Sequence, residues 1–198
     1  MSHDYWEPIK ACGHIDLFVD VGPAKPETEA WCVRELCPNA GTIGFEPYPP
    51  HYASLIQAEY PGHLFPYAVG STHGPICIAG IGPDNAGAYF PAGKVVYDRP
   101  QICLDDFMAP FMVSGFKVLW ADVEGHELAV LRGAVNLLDS KAFSAIVLEV
   151  RDKNETGGSG WVLADEVIQY LNQHGYRVTN EWVRDKSCNT RDIVARPA

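Results

Sequence analysis

Three carboxylates and an imidazole fall within six residues at Asp122-Val123-Glu124-Gly125-His126-Glu127. The run Phe116–Ala121 before them reads as a buried strand, and Leu128, Leu131, Ala134, Val135 and Leu138 after them recur at helical spacing. The acids therefore stand at a strand-to-helix turn, where open α/β sheets bind their ligands. Placing Asp122, Glu124, His126 and Glu127 there carries a desolvation cost unless something polar or cationic faces them. Asp122 and His126 are candidate general bases, and Glu124 shares the turn with them.

A second acidic layout lies upstream. The apolar run Leu17-Phe18-Val19 ends in Asp20-Val21-Gly22, and the strand Thr42–Glu46 ends in Glu46 before Pro47. Asp-x-Gly after one strand and an acid after the next is the nucleoside-binding layout of a Rossmann-like half. Gly22 lets the backbone approach a ligand, and the Glu46 carboxylate suits two ribose hydroxyls. The layout alone does not separate a nicotinamide dinucleotide from S-adenosylmethionine, although no G-x-G-x-x-G follows the first strand.

Strand-like and helix-like segments alternate, which predicts a mostly parallel sheet with helices on both faces. The expected strands are Leu17–Val21, Thr42–Glu46, Leu64–Val69, Phe116–Ala121 and Ala145–Val150, with Tyr176–Trp182 and Asp192–Ala195 as a closing antiparallel hairpin. The expected helices are Glu27–Cys37, His51–Glu59, Leu104–Met108, Leu128–Leu138 and Val162–His174. Pro26 suits the first position of its helix. Asp105 and Asp106 read as caps of the helix at Leu104. Gly74–Tyr97 interrupts the alternation and reads as a β-hairpin or irregular insert.

These blocks resemble the FkbM-type methyltransferases, a branch of the class I, S-adenosylmethionine-dependent enzymes. The resemblance rests on Phe18-Val19-Asp20-Val21-Gly22 with Gly44-Phe45-Glu46-Pro47, on Ile102-Cys103-Leu104-Asp105-Asp106-Phe107, and on Asp122–Glu127 with Leu131-Arg132-Gly133-Ala134 and Ile146–Val150. It runs from about Leu17 to Val150 and implies one domain over 1–198, a seven-stranded Rossmann-like sheet and S-adenosylmethionine as cofactor. Asp20, Gly22, Pro23, Glu46, Pro47, Ala68 and Asp122 would line the cofactor. Asp122, Glu124 and His126 would serve catalysis, most naturally methylation of a hydroxyl on a sugar or small natural product, and the Gly74–Tyr97 insert would lie over the active site, with Tyr89 and Phe90 as candidates to line the acceptor pocket. Asp122 and Glu149 end adjacent strands, a weak candidate pair for Mg²⁺; no metal is the expectation.

The first loop, Gly22-Pro23-Ala24-Lys25-Pro26, has two prolines where the family carries a second small residue and a second glycine. Proline fixes φ and removes N–H donors, so a domain that keeps the fold with a degraded glycine loop is the rival expectation.

The bulk properties narrow the partners. The 198 residues have a formal net charge of −10 and no basic run, which argues against a nucleic-acid backbone. No apolar stretch approaches the roughly 20 residues of a membrane span, and the first residues lack the pattern of a signal peptide. Six scattered cysteines form no C-x-x-C pair. A reduced, cytoplasmic protein acting on a neutral or cationic small molecule or a glycan is the expectation; oligomeric state is open.

Overall fold

The computed structural model describes residues 6–80, 86–87, 96–111, 114–152, 162–185 and 190–198. In chain order the elements are α1 (Trp6–Cys12), β1 (Leu17–Val21), α2 (Glu29–Leu36), β2 (Gly41–Phe45), α3 (Pro49–Gln57), β3 (His63–Phe65), β4 (Ala68–Val69), β5 (Gly74–Gly80), β6 (Ala86–Gly87) and β7 (Val96–Ile102). They continue with α4 (Leu104–Met108), β8 (Lys117–Ala121), α5 (Glu127–Arg132), α6 (Val135–Asp139), β9 (Ala145–Arg151), α7 (Ala164–Gln173), β10 (Tyr176–Asp185) and β11 (Thr190–Pro197).

Seven strands form one sheet in the order β3-β2-β1-β8-β9-β11-β10. The pairs from β3 to β9 are parallel, and β11 runs antiparallel to both β9 and β10. Parallel strands need covering on both faces, and every residue of β1 and β8 is buried. Alternation splits their side chains between two cores. Leu17, Val19, Val21, Leu119 and Leu148 pack with α4, α5, α6 and α7. Phe18, Trp120, Val147 and Val194 face the other way, toward Ile9 and Cys12 of α1 and Trp31 and Cys32 of α2. The sequence reading did not include α1, whose seven residues are too few for periodicity to mark.

The order of connection reverses between β1 and β8. That switch point places the ends of β1, β2 and β8 side by side.

Four expected elements differ. The strand expected over Leu64–Val69 is two strands broken at Pro66: β3 pairs with β2, whereas β4 joins a second sheet in the order β4-β7-β5-β6. Proline has no N–H to continue a ladder. The hairpin insert is this second sheet, with β5 antiparallel to β7 from Gly74↔Gln101 to Ala79↔Val96, so the expected boundary at Tyr97 extends to Ile102. Tyr89 and Phe90 lie outside the described residues.

The helix expected from Pro26 and Glu27 begins at Glu29, because Glu27 has φ +62° and cannot be a helical residue. The helix expected over Leu128–Leu138 is broken into α5 and α6 at Gly133-Ala134. A Cβ at Gly133 would stand 2.0 Å from the carbonyl oxygen of Gly70, so the break is where the turn after β4 presses against the helix. Asp105 does not cap its own helix: its carboxylate accepts the N–H groups of Asn136 (2.9 Å) and Leu137 (3.0 Å) at the start of α6. Asp106 pairs with His73 instead.

Gly133→Ala forces this contact apart. The expected cost is about 1–3 kcal/mol, the scale of overpacking a close contact, read as a lower midpoint of urea unfolding. A midpoint equal to the parent's would show that the turn after β4 yields freely.

Candidate active site at the strand ends

The backbone ladder continues past the strands. Gly22 N–H donates to Phe45 C=O (3.0 Å), Asp122 N–H to Val21 C=O (3.1 Å), and Glu46 N–H to Phe65 C=O (3.0 Å). The acids at these ends are thus held on a continuous backbone frame. Gly22 takes φ +88°, and a Cβ on it would meet Asp122 O at 2.2 Å. The glycine is required by the approach of two strand ends as well as by any ligand.

Glu46 is 4% exposed. Its Oε1 accepts Tyr48 N–H (2.7 Å) and its Oε2 accepts Ala24 N–H (3.1 Å). His51 Nδ1 lies 3.9 Å from Oε2. One carboxylate therefore joins the end of β2, the first loop and the start of α3. Burial pushes its pKa up to about 7, against the pull of the two N–H donors. Pro47, half-buried, offers its carbonyl to Arg99 Nε of β7 at 2.9 Å, and Tyr48 packs edge-on against Tyr97, with ring centroids 5.5 Å apart. The second sheet is thereby docked on the rim of the site.

The first loop is compact and bent. Lys25 N–H turns back to Pro23 C=O around Ala24, which has φ +46°, a tight three-residue turn. Pro23 is buried. Thr28 Oγ donates to Lys25 C=O at 3.0 Å and closes the loop before α2. Ala24 and Glu27 both adopt left-handed conformations that glycine would take without strain.

Asp20 is fully buried one residue before the end of β1. Tyr60 donates its hydroxyl to Asp20 Oδ2 at 2.7 Å. Gly44 lies beside Asp20 in the sheet, and a Cβ there would sit 2.6 Å from that hydroxyl, so the glycine makes room for the bond. Burial pushes the Asp20 pKa up to about 7; hydrogen bonds from Tyr60 and the buried Glu29 pull it down, and the Asp122 charge pushes it up. Asp20 thus belongs to an internal network with Tyr60 and Glu29. The sequence reading assigned Asp20 neither partner: Glu29 was read there only as a first-turn acid of its helix.

The turn after β8 is built around Glu127. Its Oε1 accepts Val123 N–H (3.2 Å) and Gly125 N–H (3.1 Å), closing the turn through Glu124 (φ +53°) and Gly125 (φ +95°). Burial pushes its pKa up to about 7. Asp122 is half-buried beside Gly22, and Glu124 is half-buried on the turn. His126 precedes α5, where its carbonyl accepts Ala129 and Val130 N–H groups, and burial lowers its imidazole pKa. A neutral imidazole is the form that accepts a proton.

Ala68 is buried in β4, paired with Gln101 of β7, and so stands on the second sheet. Glu149, near the end of β9, pairs with the fully buried Asp192 of β11. Asp122 and Glu149 belong to no convergent group of three metal-ligating side chains among the described residues. The edge as a whole is acidic and rich in acceptors, which suits a ligand with hydroxyl donors and positive charge.

The strand order, with β11 inserted antiparallel between β9 and β10, defines a class I methyltransferase fold. The model of the methyltransferase FkbM domain matches residues 12–178, and the chain belongs to that family. The methyltransferase FkbM from Methylobacillus flagellatus KT superposes with a TM-score of 0.59 at 12% identity, over 91% of this chain and 43% of that one, so this chain spans less than half of its length. Magnesium protoporphyrin IX methyltransferase from Synechocystis PCC 6803, solved with bound SAM, superposes with a TM-score of 0.54 at 9% identity, over 96% of this chain and 74% of that one. Among proteins of curated function, none matches this sequence. No described helix is long and apolar enough to cross a membrane.

The raised pKa values have a consequence for stability. The folded chain keeps protons on Glu46 and Glu127 up to about pH 7, whereas the unfolded chain releases them near pH 4.3. Their contribution is fully present below the unfolded value and is lost as pH rises through the folded one. The thermal midpoint should therefore fall between about pH 4.5 and about pH 7. Glu46→Gln, neutral throughout, should show a shallower fall; a slope identical to the parent's would contradict a proton on Glu46.

Proposed function

We propose that this chain transfers a methyl group from S-adenosylmethionine to a hydroxyl of a sugar or small natural product. The observation that carries the reading is Glu46: a buried acid at the end of β2, facing the first loop beside the Asp122 turn. Its donor chemistry fits the cofactor. Each oxygen accepts one protein N–H, and a carboxylate has about four acceptor positions in all, so room remains for ribose hydroxyls. Gly22, Pro23 and Pro47 would flank the nucleoside, Ala68 would add an apolar contact, and Asp20 would hold the first loop through its buried network.

The cofactor supplies a methyl on a sulfonium, already a good electrophile. The chain's part is then alignment and proton handling. Asp122 would orient the acceptor hydroxyl and accept its proton. His126, kept neutral by burial, is the alternative acceptor, and Glu124 would add negative charge. The acidic balance of the chain favours a small or glycan acceptor over a nucleic acid. A cytoplasmic location is part of the same proposal.

One observation favours a second reading, a domain that keeps the fold without turnover. The first loop already directs its Ala24 N–H at Glu46, and its two prolines leave few donors for a ligand. Titration of the unmodified protein with S-adenosylmethionine by calorimetry separates the two. Binding at micromolar to low-millimolar concentration is expected. It should tighten as pH rises through about 7, because the ribose donors need an ionised Glu46. A folded sample without binding would leave the second reading.

Asp122→Asn should keep the thermal midpoint near the parent's while lowering turnover about 10²-fold or more. Full activity would exclude Asp122 as the base, and a large loss of stability would assign it to the backbone frame.

A further inference from the structure

We infer that His73, Cys103 and Asp106 form a binding site for a single zinc-type divalent metal ion, apart from the strand-end acids. His73 lies in the turn between β4 and β5, Cys103 directly precedes α4, and Asp106 is in the first turn of α4. One donor atom from each lies within 4.8 Å of the other two, and His73 Nε2 stands 2.7 Å from Asp106 Oδ2.

The backbone around the three is held from several sides. Gln101 Nε2 donates to Thr72 O (2.7 Å) and Thr72 Oγ (3.2 Å), fixing the residue before His73 to β7. Gly70 N–H bonds Ile102 O at 3.0 Å, tying the start of the same turn to the residue before Cys103. Asp105, between Cys103 and Asp106, is bound to α6 through its carboxylate, and its N–H donates to Gly133 O at 2.9 Å. Asp105 is thereby occupied, and its neighbour Asp106 is turned out to His73.

An imidazole nitrogen, a thiolate and a carboxylate oxygen are the ligand types of tetrahedral zinc, with bonds of about 2.0–2.3 Å. Ligand atoms around such an ion stand roughly 3.3–3.8 Å apart. Closing from 4.8 Å needs only rotations of side chains, two of which are exposed. Asp105 and Asp106 set two carboxylates in the first turn of α4, directly after Cys103. Their negative field favours a cation, which would release the thiol proton to solvent and take the thiolate as ligand. Three protein ligands leave a fourth position to water.

The test uses the full chain, reduced and freed of metal, titrated with Co²⁺ alone and then with Zn²⁺. One equivalent of Co²⁺ should produce a thiolate-to-cobalt charge-transfer band in the near ultraviolet, and Zn²⁺ should displace it. Cys103→Ser should abolish the band. His73→Ala and Asp106→Ala, at exposed positions, should weaken Co²⁺ binding at least tenfold with an unchanged circular dichroism spectrum. Cys77→Ser, at the exposed cysteine of β5, should bind as the parent does. Absence of the band, binding only at millimolar metal, a band that survives Cys103→Ser, or His73→Ala binding like the parent would each overturn the site. None of these readouts depends on methyl transfer.

Discussion

The hydrogen bonds that Glu46 accepts from Ala24 and Tyr48 hold the acidic edge together. A buried carboxylate is costly unless donors meet it, and here the donors come from two different loops. The first loop cannot leave without stranding one oxygen of Glu46, and the β2–α3 turn cannot leave without stranding the other. Asp20 and Glu127 are buried in the same way: one oxygen of Asp20 accepts the Tyr60 hydroxyl, and one oxygen of Glu127 accepts two backbone N–H groups. The edge is therefore three acids that build their own surroundings. A ligand arriving there meets groups already oriented, which lowers the entropy lost on binding.

The same economy explains the tight spacing of the strand ends. Gly22 lies against the Asp122 carbonyl, and Gly44 lies against Tyr60. Side chains at either position would push apart two strands or expel the hydroxyl that serves Asp20. Left-handed backbone is taken instead by Ala24 and Glu27 before α2 and by Glu124 on the turn after β8. Strain of this kind persists where surrounding contacts over-determine the backbone, and the Glu46 and Thr28 hydrogen bonds supply that determination in the first loop.

The sheet and its acidic ends were legible because parallel strands buried on both faces leave continuous apolar runs, such as Leu17-Phe18-Val19, punctuated by Asp20, Glu46 and Asp122. The insertion of a second sheet was legible only as a break in alternation, since β4 is two residues long and Pro66 hides the division between the sheets. Helix limits were misplaced where a residue outside the local window decides them. Glu27 lies inside the turn that Thr28 Oγ closes on Lys25 C=O, within a loop that Glu46 holds from β2 through Ala24 N–H, and α5 ends at Gly133 because Gly70 comes from about sixty residues away in the chain. The roles of Tyr60, Glu29 and Asp105 are tertiary hydrogen bonds of long range, and no spacing rule encodes them. The roles of Asp122, Glu124 and His126 stay a reading of residue type and position, which their placement on one turn supports.

The place of β11 bears on how the chain reaches this state. Residues 190–197 lie between β9 and β10 and bond to both. Until they dock, β10 has no neighbour in the sheet and β9 presents an open edge, a template for mispairing with another chain. Sheet closure is thus a late, long-range event for β9, with sequence separation of about forty residues to its partner. A ribosome-bound chain that has emerged only through β10 would carry a formed acidic edge beside an unprotected strand. Aggregation during synthesis, rather than loss of the site, is the hazard this topology carries.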